Sequence, residues 1–360
     1  MGSHLLTVVE CRGSAREAGR QYGEACRKSV HNAVEVLTVI QNHGPIPVGR
    51  DRIEAAALKY LPAAEAYDPD TIAFIRGQAQ GAGLDFGAVL ALHCLLEVMV
   101  NYQNLAALCT SFAVGGALTR DGGPLIGQNV DWHPDAPVDL ARIHREDGGR
   151  LLALFLCGVP YYTLTSAGLA NCANMTLNMQ QCAAPHLPVG LYLPRVLRQP
   201  DASSAVAQLK TVATGLAFFL FADAGGGILG LESVANRHQV IEPQNGVVAH
   251  ANHYETAAFQ SGDLYPHVVP CSPARSRRMR SLIEGELTET EDEALTAETM
   301  MAILRDHQGY PHSICRHVDP HQTAGMPSLT NASIVMLPRE GRMFVAAGPP
   351  CENDYQRFRV

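Results

Sequence analysis

Apolar residues recur at helical spacing through the first hundred residues and then give way to short alternating runs. From Ala15 to Gln41 the text AREAGRQYGEACRKSVHNAVEVLTVIQ sets Ala, Val, Leu and Ile three and four residues apart, between a Gly-Ser and a Gly-Pro, which predicts a helix. Further helices are predicted over Arg52 to Ala66 and Pro69 to Gly83, the last leading through LDFGAVLALHCLLEVMVNY to Tyr102. At Cys109 the period changes. CTSFAVGGAL, the turn TRDGG and PLIGQNVDW predict a hairpin, and LARIHRE, RLLALFLCG, YYTLTSAGLANCANMTLNM and GILGLESVANRHQVIEPQNGVVAHANHY extend it into a large antiparallel system. Helical spacing returns at Leu191 to Arg198, Ala202 to Ala213, Ser272 to Glu284 and Ala297 to Asp306. Two closing strands, NASIVMLPRE and GRMFVAAGPP, meet at a tight turn at Glu340 and Gly341. Strand runs interleaved with helix runs, without strict βαβ alternation, predict an α+β fold with helices covering antiparallel sheets.

Composition narrows the function classes. Of 360 residues, 47% are hydrophobic and 17% charged, so the chain can bury a large core and is not predominantly disordered. The formal net charge of -8 disfavours a phosphate backbone as partner, and nucleic acid is not expected. No run reaches the roughly 18 to 20 apolar residues of a membrane span. GxGxxG and Walker A loops are absent, which removes the usual nucleotide folds. Ten cysteines without a CxxC pair read as thiols of a cytoplasmic protein.

One thiol stands out by its company. Cys109 begins a strand, and Asn129 and Asp131 lie on the return strand one residue apart, hence on a common face. A closed hairpin would turn both toward the inner side of the cysteine strand. Asn174 in GLANCANMTL and Asn252 in HANHYET are amides in apolar strands and must find partners, or else donate to an oxyanion during acyl transfer. Arg275 adds a cation within PCSPARSRRMRSL. The histidine pairs His250/His253 and His312/His317 do not spell a zinc site, because odd spacing in a strand sends each pair to opposite faces and no cysteine pair accompanies them. Cys315 reads as packing beside a sheet. The arginines of RSRRMR spread around a helix as a solvated face, with coenzyme A phosphates as their alternative ligand.

CTSFAV followed by GGPLIGQNVDW resembles the nucleophile hairpin of the acyl-coenzyme A:6-aminopenicillanate acyltransferase family, the isopenicillin-N acyltransferase-like group of N-terminal-nucleophile hydrolases. RGSAREAGRQYGE, GQAQGAGLDF, SAGLANCAN, HANHYE, the stretch from Ser272, DHQGYPHSICRH and AGPPCENDY follow in the family's order. The resemblance implies a four-layer αββα sandwich over 1–360, with a mostly helical segment spanning 1–108 and a nucleophile-bearing segment spanning 109–360. It implies self-cleavage between Leu108 and Cys109, after which the freed α-amine activates the thiol of its own residue. Asp131 would orient that amine, Asn174 and Asn252 would serve as oxyanion and substrate-binding amides, and Arg275 would balance Asp131. Thr110, Asn129 and Ser272 would contact substrate. The family usually has glycine before the nucleophile; here it is Leu108. The implied chemistry needs no cofactor or metal. Its small-molecule partners are an acyl donor, a coenzyme A thioester among the options, and an amine or water as acceptor. Two rivals stay open: an unprocessed cysteine hydrolase or thioesterase with a histidine base such as His250, and a silent binder of a small acylated ligand.

Overall fold

The helices of the first hundred residues are tied together by backbone contact. In the computed structural model, which describes residues 6–42, 47–101, 108–180, 187–213, 215–289, 294–322 and 326–360, the helices Ala15–Ala25 and Pro69–Ala82 cross at two glycine pairs. A Cβ on Gly19 would sit 2.0 Å from the Phe74 carbonyl oxygen, and one on Gly77 would sit 1.9 Å from that of Arg16. Gly23 and Gly81 repeat the contact one turn on, so any side chain there would force the helices apart. The first of these helices is capped by Ser14, whose hydroxyl accepts the Glu17 N–H. The single helix expected from Ala15 to Gln41 is two, Ala15–Ala25 and Arg27–Asn42, broken at Cys26. The stretch from Arg52 likewise divides into Arg50–Leu58 and Leu61–Tyr67, the second carrying Pro62 in its first turn, where a missing N–H costs nothing.

The strands form two sheets rather than one system. They are β1 (Val8–Arg12), β2 (Leu108–Val114), β3 (Leu125–Trp132), β4 (Val138–His144), β5 (Arg150–Leu156), β6 (Val159–Thr165), β7 (Leu169–Met175), β8 (Ala217–Asp223), β9 (Ile228–Val234), β10 (Arg237–Ile241), β11 (Val247–His250), β12 (Leu329–Leu337), β13 (Arg342–Ala347) and β14 (Gln356–Arg359). One sheet runs β1-β4-β5-β6-β7-β8-β9-β10 and the other β11-β2-β3-β12-β13-β14. The hairpin β2–β3 that carries Cys109 therefore lies centrally in the second sheet, beside the closing strands, while β1 and β4 to β10 build the first. Among the described strands only β1 pairs in parallel, with β4.

Sheet packs on sheet through β2 and β3 against β7 and β8. The helix Ala15–Ala25 lies on β1 and β4, and the helices Val189–Val196 and Ala202–Leu209 lie on β6, β8 and β9, so that together they cover the outer face of the first sheet. The helices Ser272–Glu289 and Ala297–Ile303 cover the outer face of the second, where Met279, Ile283, Met300 and Leu304 pack against Phe112, Val114 and Val335. The result is the four-layer αββα arrangement. Among the described residues no helix is long and apolar enough to cross a membrane.

Candidate active site

Strand parity splits the chemistry of the hairpin. Cys109 pairs with Val130, Thr110 with Asn129 and Leu108 with Asp131. Residues directly opposite share a face and neighbours along a strand alternate, so Cys109, Ser111 and Gln128 face the other sheet. Thr110, Asn129 and Asp131 face the helical layer behind. Asn129 and Asp131 do share a face, but it is the one opposite the Cys109 side chain, which corrects the expectation that they point inward with it.

On the inner face the Cys109 thiol lines an apolar cavity of about 30 Å³ with Leu95, Trp132, Tyr162, Asn174 and Met175 among its walls. The Tyr162 hydroxyl and the Asp131 backbone N–H near the sulfur both favour its thiolate form. Burial, reinforced by the Asp131 charge, pushes the thiol pKa up to about 12, so in the uncut chain the protonated thiol is favoured at neutral pH. Asn174 sits beside it. Its Oδ1 accepts the Ser111 hydroxyl at 2.6 Å, while its buried Nδ2 has no partner among the described residues. Gln128 locks this wall by pairing with both backbone groups of Ala173 across the sheets, at 2.9 and 3.0 Å.

The main chain of Cys109 is clamped from two sides. Its N–H donates to Asn252 Oδ1 at 2.9 Å, and its carbonyl oxygen accepts from Arg275 Nη1 at 2.6 Å. Arg275 also donates to Thr110 Oγ1 at 2.5 Å and to Asn252 Oδ1 at 2.8 Å. The Nδ2 of Asn252 donates to Met175 O at 3.0 Å, and its backbone N–H donates to Ser272 Oγ at 2.8 Å. Asn252 thus positions the Cys109 nitrogen rather than presenting an oxyanion donor, Ser272 supports Asn252, and Thr110 supports Arg275. None of Thr110, Asn129 and Ser272 lines the cavity at the thiol. Asn129 instead donates to the carbonyls of Leu304 and Ile314, both at 2.8 Å, tying the hairpin to the segment behind it.

Asp131 is fully buried, and its closest cation is not Arg275. Arg316 places its Nε 3.7 Å from Asp131 Oδ2, and Thr330 donates its hydroxyl to Oδ1 at 2.7 Å. Burial raises the Asp131 pKa, opposed first by Arg316, then by Arg275 at longer range, then by Thr330. A bulge between Thr330 and Ala332 in β12, opposite Asp131 and Val130, turns Thr330 to this position. Tyr162, Arg316 and Thr330 do not stand out as site residues in the sequence. Of the three, Arg316 lies within the SICRH motif, where an arginine between apolar neighbours is the available signal.

His250 does not serve as a base for the thiol. Its Nε2 lies 2.9 Å from Glu232 and its Nδ1 2.8 Å from Ala251 O, and its ring stacks on Phe218. The arginine cluster is dispersed as its helix predicts: Arg275 is buried, Arg278 pairs with Asp306 at 2.7 Å, and Arg277 is exposed. Among the described residues no metal-ligand cluster includes Cys109. A larger cavity of about 290 Å³, lined by Phe74, His93, Thr163 and Arg198, excludes the thiol and carries no comparable convergence of groups.

The chain is similar to known proteins in sequence and in fold. A family model described as acyl-coenzyme A:6-aminopenicillanic acid acyl-transferase matches residues 118–349. A cysteine-to-alanine mutant of conjugated bile acid hydrolase from Clostridium perfringens superposes with a TM-score of 0.50 at 12% identity, covering 70% of this chain and 92% of that one. An arginine-to-leucine variant of the same hydrolase gives 0.50 at 13% identity with the same coverage. Penicillin V acylase from Agrobacterium tumefaciens gives 0.44 at 12% identity, covering 66% and 82%. No curated protein matches the sequence.

Proposed function

The chain belongs to the acyl-coenzyme A:6-aminopenicillanic acid acyl-transferase family of N-terminal-nucleophile hydrolases and acyltransferases, and from that premise we propose that Cys109 is its nucleophile, unmasked by self-cleavage of the Leu108–Cys109 bond. In the cleavage step Sγ attacks the Leu108 carbonyl carbon, the peptide C–N bond breaks, and the proton given up by the thiol is taken by the departing Cys109 nitrogen. The new thioester is hydrolysed by water, leaving a Leu108 carboxylate, a free thiol and a free α-amine on Cys109. The segments 1–108 and 109–360 become two chains of one folded unit.

The freed amine, with an ordinary pKa of roughly 7.7 to 8.0, then takes the thiol proton. Asn252 Oδ1, already on the Cys109 nitrogen, orients it, and Asp131, Thr330 and Arg316 form the charged support behind it. The thiolate attacks the carbonyl carbon of a small acylated substrate, the amine leaving group takes up a proton, and an S-acyl enzyme results. Water or an amine then receives the acyl group. The observation that carries this reading is the unpartnered, buried Nδ2 of Asn174 in the cavity wall that the thiol also lines. A donor held ready where an oxyanion forms is what acyl transfer requires. Leu95, Leu96, Trp132, Met175 and Val189 around it suit an apolar acyl group. Cysteine-to-alanine replacement in the bile acid hydrolase structure is in keeping with a cysteine-centred chemistry on this fold.

The test is the intact mass of denatured wild-type protein beside Cys109→Ala. Two fragments meeting at Leu108 and Cys109 in the wild type, with an uncut variant, are expected. A single uncut mass in both would overturn self-cleavage. With processed protein, a series of acyl amides of increasing chain length should yield amine product in the wild type alone.

A further inference from the structure

Behind the Asp131 support, four side chains bring their ligand atoms together without any chemistry assigned to them. His307, Cys315, His317 and Cys351 have their sulfur and ring-nitrogen atoms all within 4.8 Å of one another. Cys315 Sγ is 3.5 Å from Cys351 Sγ and 3.7 Å from His317 Nε2, Cys351 Sγ is 3.3 Å from His317 Nε2, and the two histidine Nε2 atoms are 3.3 Å apart. We propose that these four residues form a tetrahedral Cys2His2 zinc site that fixes the Arg316 segment to the turn between β13 and β14.

The four shortest distances are close to those of a filled tetrahedron, and the two from His307 to the sulfurs lie within 4.8 Å. With Zn–S of about 2.3 Å and Zn–N of about 2.05 Å, ligand atoms lie about 3.8 Å apart for two sulfurs, about 3.3 Å for two nitrogens and about 3.6 Å for a mixed pair. Tautomer chemistry favours a cation at the centre as well. His317 turns its Nδ1 toward Glu352 at 3.6 Å, the outer-shell carboxylate that commonly fixes a ligating imidazole, which leaves Nε2 as a lone pair facing the other three atoms. Two thiolates neutralise Zn²⁺, and the two thiol protons are released on binding. Four protein ligands leave no open position, so the site is structural, and the sulfur–imidazole set selects zinc over calcium or magnesium.

The position gives the metal a function. Cys315 and His317 flank Arg316, whose backbone N–H donates to Thr330 Oγ1 at 3.0 Å and whose guanidinium faces Asp131. Binding both neighbours of Arg316 fixes the cation behind the nucleophile hairpin. All four ligands lie in 109–360, and metal content is read separately from cleavage, so this proposal and the proposed function fail independently.

Reduced wild-type protein should carry one zinc per chain by elemental analysis. After chelation, Co²⁺ should produce the visible bands of tetrahedral cobalt with a thiolate charge-transfer band. Cys351 is exposed, so Cys351→Ser should lose the zinc and weaken that band while the far-ultraviolet circular dichroism stays unchanged, and Cys351→His should restore zinc. Zinc content unmoved by Cys351→Ser, or a wild-type protein that takes up neither metal, overturns the site. A Cys315–Cys351 disulfide in the non-reduced peptide map of fresh protein, with no metal, overturns it in favour of a covalent link. If Cys351→Ser fails to fold, the cobalt titration of the wild type and protection of Cys351 from alkylation by zinc decide alone.

Discussion

Two buried carboxyl groups show how differently this molecule treats the two sides of Cys109. Asp131, behind the hairpin, is met by the Arg316 guanidinium, the Thr330 hydroxyl and the more distant charge of Arg275. Glu97, in the helical layer on the cavity side, accepts one hydrogen bond, from the Val189 N–H at 2.9 Å, and its other oxygen has no partner among the described residues. Burial therefore lifts the Glu97 pKa to about 8, with only backbone hydrogen bonds opposing it. The contrast follows the chemistry. Charge that supports the main chain of Cys109 is gathered behind the sheet, where cations compensate it, and the side proposed to receive the acyl group is kept neutral.

The largest expected effect tests that neutrality. A carboxyl whose folded pKa is raised is stabilising in full below its unfolded value, and the benefit is lost as pH rises through the folded value. For Glu97 the window runs from about 4.5 to about 8, and the loss across it is at most about 5 kcal/mol. Denaturant unfolding of the wild type should weaken through that window, and Glu97→Gln should flatten the profile and leave the protein more stable at pH 8. An unchanged slope in the variant would place the pH dependence elsewhere.

Next in size is the compensated side. Arg316→Met leaves Asp131 buried beside a long-range cation only, and should cost about 3 to 5 kcal/mol in thermal or denaturant unfolding. Combining it with Asp131→Asn should recover much of that loss, because the uncompensated charge is gone. Recovery shows that the ion pair, and not packing around Arg316, carries the effect. On the inner face, Asn174→Ala should lower kcat by about 10²- to 10³-fold with little change in KM if its Nδ2 serves the oxyanion. A rise in KM with kcat intact would make Asn174 a substrate-binding amide instead.

What the sequence reveals and what it hides have physical causes. The nucleophile hairpin is legible because a glycine-rich turn separates two apolar runs. Which face each residue takes is not, because parity depends on the register across the turn, and Val114 pairing with Leu125 sends Asp131 opposite Leu108. The motifs AREAGRQYGE and GQAQGAGLDF look unrelated along the chain, yet Gly19, Gly23, Gly77 and Gly81 are two halves of one helix contact. The strands β1 and β14 are hard to see in the sequence: β1 is an edge strand, β14 closes the other sheet, and neither has a fully buried face to impose strong alternation. Arg316 and Thr330 reach Asp131 only through tertiary structure, nearly two hundred residues along the chain. Nearness in sequence pairs His312 with His317, whereas folding groups His317 with His307, Cys315 and Cys351.

The smallest expected effect sharpens the account of the thiol itself. Tyr162 sets its hydroxyl near the Cys109 sulfur, where it favours the thiolate alongside the Asp131 backbone N–H and the charge of Arg275. A neutral hydrogen bond to a charged acceptor contributes about 1.5 to 3 kcal/mol when the charge is formed, and less in net terms when the phenol must also be desolvated. Tyr162→Phe should therefore lower turnover by roughly tenfold and shift the pH–rate profile of the processed enzyme to higher pH, since the thiolate loses a donor and the α-amine does not. Unfolding stability should fall little, because the ring remains packed. If turnover drops with an unshifted profile, Tyr162 orients the acyl group, and the backbone N–H of Asp131 is left as the donor that holds the sulfur.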